Sequence, residues 1–297
     1  MGNLQLFAGC VAIWGSTWLA IKFQLGSVAP EASVFYRFLL ASCLLFAYCL
    51  ARRLPLRYSL KQHAWIALLG VFMFSVSYIF VYYAEEHVVS GLVAVGYSAS
   101  PLLGMLGMRL FFGTPMTRVL ATGSVLGIVG IALVFWPEFG KLEASRDVAM
   151  GAIYTAIAVV VSTLGSLVAH RNHKASLPLW QSMAWGMLYG SLFSLAVTVA
   201  VGKPLTFEPT VPYVLSLLYL SILGSIIAFA GYLTLLNRIG AARSGYIGVM
   251  VPIVALVISA AFESFAWHLL TLVGIVVSVA GNVVVLREKR NCGGCWR

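Results

Sequence analysis

Ten stretches of about 20 apolar residues follow one another along this chain, at 4–23, 31–51, 64–84, 88–111, 119–136, 149–169, 178–201, 212–235, 241–262 and 267–286. Each is long enough to cross the hydrocarbon core of a bilayer as a helix. A water-soluble fold could not hide them all. Only 9% of the 297 residues are charged, against about 25% in a soluble domain. In lipid every backbone polar group needs an internal partner, which leaves helices and closed barrels. The stretches are continuously apolar rather than alternating, and that selects helices. The expectation is an all-α integral membrane protein with ten transmembrane helices. The first stretch has no basic region before it and no small-residue cleavage site after it, so it reads as an uncleaved helix.

The net charge of +10 would suit a nucleic-acid partner, but its distribution does not. With both termini in the cytoplasm, 14 of the 19 Lys and Arg fall in cytoplasmic segments, from Arg52 and Arg53 to Arg290 and Arg297. Eight of the nine acids, Glu85 and Glu263 among them, fall on the outer side. Retention of basic residues on the cytoplasmic face orients the chain in a bacterial inner membrane, and the excess charge meets anionic lipid. Nucleic acid is not expected as a partner.

An internal repeat accounts for two prolines placed inside spans. Pro101 and Pro252 are 151 positions apart, as are Gly123 and Gly274, and Gly130 and Gly281. "WGS" at 14–16 faces "LGS" at 164–166, a shift of 150. The chain therefore divides into halves, 1–140 and 148–290, of five helices each, with a flexible cytoplasmic tail at 291–297. Because five is odd, the second half crosses the membrane in the opposite sense, as in the inverted repeats of secondary transporters. Pro101 lacks an N–H and clashes with the carbonyl of Tyr97, and Pro252 does the same to Gly248. Each half is expected to carry a broken helix near mid-membrane, tolerated where it lines a cavity or packs on protein. Gly96, Ser100 and Gly104, and Ser244 and Gly248, form close-packing faces beside these points. A plain kink with tight packing is the alternative.

Residues suited to line a cavity are Trp14, Tyr78, Tyr82, Tyr97, Ser98, Ser244, Tyr246 and Met250. Aromatic stripes at helical spacing also serve as packing or as interfacial belts, and Tyr82 lies near the outer interface. Arg37, six residues after Glu31, is an intramembrane charge, functional or snorkelling outward. With no acid in the middle of a span, a carboxylate proton relay is not supported, and passive uniport is favoured. No catalytic cluster, nucleotide-binding loop or metal-ligand spacing marks an enzyme. His170 and His173 share a face beside Arg171 and Lys174, which reads as a charged turn. Cys292 and Cys295 form a lone "CGGC" in the tail. No cofactor or metal is expected, and a monomer is the default. A receptor needs no paired mid-span breaks.

The chain resembles the EamA branch of the drug/metabolite transporter superfamily. The likeness rests on "IWGSTW" at 13–18, Pro30 with Arg37, "VSGLVAVGYSASP" at 89–101, "AARSGYIGVMVPIVALV" at 241–257, and Glu263 followed by Gly274 and Gly281. The first half departs from the pattern, with Phe112 in the place of Glu263. Within the branch the likeness is to exporters of aromatic amino acids of the YddG type. It implies efflux of neutral amino acids and related small metabolites through a helix bundle that opens alternately to each side. The central cavity would come from spans 1, 3, 4, 6, 8 and 9. The aromatics above would hold an apolar side chain, and the carbonyls freed at Tyr97 and Gly248 would meet an ammonium group. A broad drug exporter or an exchanger is the alternative within transport.

Overall fold

The structure, a computed structural model, describes residues 2–113, 118–139, 145–244, 246–263, 265 and 267–291. The CGGC motif lies outside them. The chain is a succession of helical rods: α1 (Asn3–Lys22), α2 (Pro30–Ala51), α3 (Leu60–His87), α4 (Ser90–Phe112), α5 (Arg118–Phe139), α6 (Ser145–Lys174), α7 (Leu179–Ala200), α8 (Val211–Leu218, continued by Tyr219–Ile227 and Ala228–Ser244), α9 (Tyr246–Phe262) and α10 (Leu269–Asn291). Among the described residues seven helices are long and apolar enough to cross a membrane. Within α5, α9 and α10 the apolar runs are shorter, at Ala121–Pro137, Ile247–Phe262 and Leu269–Gly281. Local chemistry sets several ends. Ser59 accepts from the N–H of Gln62 while the Gln62 side chain accepts from the N–H of Ser59, closing the start of α3. Pro30 opens α2, where its missing N–H costs nothing. Gly113, at φ +68°, ends α4 in the left-handed conformation.

The packing has a regular pattern. α2 lies on α7, and α5 on α10. α6 packs on α3 and α4, and α1 packs in the same way on α8 and α9. The α5–α10 crossing is backbone on backbone. A Cβ on Gly130 would fall 2.6 Å from the carbonyl oxygen of Gly274, and one on Gly274 would fall 2.6 Å from that of Gly130. Gly281 meets the carbonyl of Gly123 in the same way. The rods are thus antiparallel here. Because Gly123 matches Gly274 and Gly130 matches Gly281 in the repeat, exchanging the rods turns one contact into the other. That reciprocity is the mark of a local two-fold axis, and small residues permit the close approach.

Three expectations need correction. Pro252 sits inside an uninterrupted α9. Gly248, four residues earlier, has no side chain and no heavy atom within 4 Å of where a Cβ would stand. A proline inside a helix removes one hydrogen bond but can be absorbed while the turns continue on either side. Among the described residues the first half does show a break, a 3₁₀ turn at Tyr97–Ala99 before Pro101. The paired irregularities lie elsewhere: a π-helical segment at Phe72–Val76 in α3 and another at Tyr219–Ile227 in α8. Finally, 241–244 belong to the end of α8 and not to the start of the following span.

Candidate functional site

The irregular segments face one another's neighbours and set up the interior. In α3 and α8 the ladder shifts to bonds across five residues, as from Ser77 N–H to the Phe72 carbonyl and from Ala228 N–H to that of Leu223. Such segments recur at functional positions because they leave carbonyls free for other donors. Trp14 uses one: its indole N–H donates to the Gly224 carbonyl at 3.1 Å. Gly224 also lies against Thr17, closely enough that a Cβ would stand 2.8 Å from its methyl.

An aromatic row crosses the interior from this point. Tyr232 lies 5.6 Å from Trp14 and Trp14 5.2 Å from Phe229, ring centre to ring centre. Phe229 is 6.5 Å from Phe74, Phe74 5.4 Å from Phe38, and Phe38 4.9 Å from Tyr78. The row takes side chains from α1, α2, α3 and α8, and its edge-on and tilted pairings are those that aromatic quadrupoles favour. Tyr97 stands apart, 5.1 Å from Trp18.

At the Tyr78 end the row meets charge. Arg37 is 2% exposed, so it does not snorkel. Its guanidinium lies 4.5 Å from the centre of the Tyr78 ring and 5.2 Å from that of Phe38, a cation–π arrangement out of water. Its Nε and Nη1 have no hydrogen-bonding partner in the protein. Glu85 is wholly buried, and neither of its oxygens has a partner. It lies within electrostatic reach of Lys22, Glu263 and Arg37. Tyr82, also wholly buried, donates to Gln24 at 2.5 Å, and Tyr83 donates to the buried Glu31.

Beside this cluster four rods are tied together. Lys22, the last residue of α1, donates to the carbonyls of Glu85 and Val88 at the end of α3, at 2.5 and 3.0 Å. It also lies 3.6 Å from Glu263 beyond the end of α9. Glu263 accepts from Ser90 N–H at 3.1 and 3.2 Å, from the Ser90 hydroxyl, and from Ser259 at 2.6 Å. The ammonium thus sits on a helix C-terminus and the carboxylate on the N-terminus of α4, each where the helix dipole favours it. Just inside, α4 and α9 touch: a Cβ on Gly91 would lie 2.9 Å from that of Ser259. Toward the opposite end they part. Ser100–Phe112 packs on α6, with Gly107 against Leu167, while Gly15 of α1 lies against Val254 of α9. Gly104 and Gly248 face open space.

The sequence-predicted residues are therefore distributed over several settings. Trp14 and Tyr78 stand in the aromatic row, with Arg37 at its end. Tyr82 is sealed in the core, neither an interfacial belt residue nor a free lining residue. Ser98 and Pro252 border a space of about 10 Å³, room for no more than one water. Met250 is exposed on α9. The side chains of Pro101, Ser244 and Tyr246 lie outside the described residues. Sequence reasoning missed Gln24, Glu85, Lys22 and Glu263 as interior groups. Their signal was present in the adjacent acids that end α3, and in Glu263 standing where the first half has Phe112. A cavity of about 470 Å³ lies apart from all of these. It is apolar, runs between α4, α5 and α6 past Gly96, Ala99, Ile131 and Thr155, and borders the exposed Ile128 and Val160. Among the described residues no cluster of His, Cys, Asp and Glu has metal-ligand geometry.

The sequence profile of the EamA-like transporter family matches residues 2–136 and again 149–287. The inner membrane transporter YedA of Escherichia coli K12 is 30% identical over 268 residues, covering 86% of this chain and 82% of its own. The transporter YdfC of Bacillus subtilis is 25% identical, with 91% and 86% covered, and PecM of Dickeya dadantii is 24% identical, with 95% and 91% covered. A solved crystal structure superposes with a TM-score of 0.70 over 97% of this chain and 98% of its own, at 18% identity, a likeness of fold.

Proposed function

The chain belongs to the EamA-like transporter family, and from that premise we propose that it is a carrier exporting neutral amino acids, aromatic ones among them, and related small metabolites. In this reading ten spans form two inverted five-helix halves in a bacterial inner membrane, with both termini in the cytoplasm. The Lys22 end then faces outward. That end is closed, and the splayed end, at Gly104 and Gly248, faces the cytoplasm. Alternating access reverses the two.

The observation that supports the substrate class is that Arg37, at the end of the aromatic row, and Glu85, within its electrostatic reach, are both buried with polar atoms that have no partner. Buried polar groups without partners are rare and call for one. The unpartnered donors of Arg37 and the unpartnered acceptors of Glu85 suit a carboxylate and an ammonium respectively. With Glu85 ionised, the two side chains would carry charges complementary to those of a zwitterion, and the aromatic row offers an apolar surface for the side chain. Passive uniport is the transport mode: Glu85 is buried, but near the outer end of α3 rather than midway, and no acid stands in the middle of a span.

Purified protein in proteoliposomes, given labelled Phe, Trp, Thr and Met and a cationic drug with and without a pH gradient, tests this. Uptake of the amino acids above the rate of empty vesicles, without accumulation driven by the gradient, is expected. No amino-acid flux overturns the substrate class, and gradient-driven accumulation overturns uniport. A second reading, a broad drug or metabolite exporter, is favoured by the apolar cavity between α4, α5 and α6. Its volume suits a drug-sized molecule arriving from the bilayer, and the drug arm reports on it. A receptor that does not transport moves none of these solutes.

A further inference from the structure

The two ends of the molecule have corresponding parts, and the parts differ in chemistry. Glu263 lies 151 positions after Phe112, and Lys174 lies 152 after Lys22. At the Lys22 end the pair is ionic, at 3.6 Å, and each partner also bonds across to a further rod. Lys22 reaches the carbonyls of α3, and Glu263 reaches the N–H and hydroxyl of Ser90 in α4. Together they join α1 and α9 to α3 and α4, the two groups that part elsewhere. At the other end the Lys174 ammonium lies 5.4 Å from the centre of the Phe112 ring, and His170 lies 5.2 Å from the same ring. These contacts stay between the neighbours α4 and α6. Phe112 has no oxygen with which to cap a helix start or to bind an ammonium across a gap.

We propose that Lys22 and Glu263 are the gate residues of the outer end, and that the cytoplasmic end closes without an ionic counterpart. The closed outer end is then favoured by charge-assisted bonds that the opposite closure lacks, and the resting carrier faces the cytoplasm, where an exporter collects its load. Opening outward breaks the Lys22–Glu263 contact and uncaps α3 and α4 in one event, so the four rods release together. The inference rests on the carrier reading for the naming of the ends, but the closure itself does not.

The test reads distance, not flux, and so can fail independently of the substrate class. Spin labels on Phe23→Cys and Glu86→Cys, exposed positions beside the ends of α1 and α3, are placed in full-length protein whose native cysteines are replaced. Reconstituted in lipid, the parent should give mainly a short distance. Lys22→Met and Glu263→Gln should each enlarge the long-distance population about threefold, the effect of losing a partly exposed ion pair. Lys22→Arg and Glu263→Asp should retain the parent distribution. Phe112→Glu, which places a carboxylate beside Lys174, should enlarge the long-distance population without altering the outer contact. Parent-like distributions in Lys22→Met and Glu263→Gln overturn the proposal. Equal loss in the conservative variants also overturns it, because packing and not charge would then hold the end shut.

Discussion

The Lys22 end and the Lys174 end are built on corresponding rods, yet they use different interactions. At the first, a lysine and a glutamate satisfy the facing ends of α3 and α4 and so join four rods beside Glu85. At the second, the corresponding residues form an aromatic and cation–π contact between two neighbours, and the central rods α4 and α9 splay apart. The difference teaches that a near-symmetric scaffold need not have near-symmetric energetics. The backbone contacts that define the scaffold, Gly130 on Gly274 and Gly123 on Gly281, are reciprocal. The side chains that decide which end stays shut are not.

Substitutions can break or sharpen this contrast. The largest effect is expected at the buried charges. Arg37→Met leaves Glu85 without its nearby guanidinium, and removal of one buried partner costs about 3 kcal/mol or more. Amino-acid flux in proteoliposomes should fall about a hundredfold, while Lys174→Met at the other end should stay within about twofold. Next come the close approaches. Gly91→Val places carbon atoms on Ser259 and Leu256, and such overpacking costs about 1–3 kcal/mol, to be seen as lower thermal stability in detergent. Gly104→Ala, in open space, should leave stability unchanged. Equal effects at the two glycines would erase the distinction between a closed and a splayed end. Trp14→Phe keeps the ring and loses one hydrogen bond to Gly224, a change of about 1 kcal/mol, so the rate should drop about fivefold. The smallest effect is that of salt. The Lys22 side chain is 28% exposed and that of Glu263 10%, so raising ionic strength should weaken the outer contact by less than about twofold in population, with no change at Phe112.

Much of the fold was legible because lipid leaves so few options. Continuous apolar runs located the rods, and the glycines that marked the 151-residue repeat, Gly123 and Gly130, stand at the α5–α10 crossing, a contact the repeat alone did not foretell. The interior was harder to read. Pro252 looked like a break, but a proline removes one hydrogen bond without necessarily ending a helix, and α9 runs through it. The π segments carry no residue signature, since a shift of one hydrogen bond depends on tertiary packing, such as that of Gly224 against Thr17. Glu85 and Glu263 looked like outer-surface acids because periodicity locates a residue along a helix but not the neighbour that covers it. Tyr82 was a candidate by spacing and turned out sealed for the same reason. Arg37, flagged by position alone, is where the sequence and the structure agree most closely on an interior charge.

The claim on which the account turns is that Arg37 and Glu85 recognise the two charges of one solute. Competition against labelled Phe uptake tests it directly, using unlabelled Phe, its analogue lacking the ammonium group and its analogue lacking the carboxylate. In the unaltered protein only unlabelled Phe should compete well, and Glu85→Gln should lose discrimination against the analogue without the ammonium while retaining it against the other. If both analogues compete as well as Phe in the unaltered protein, the paired charges do not read the substrate.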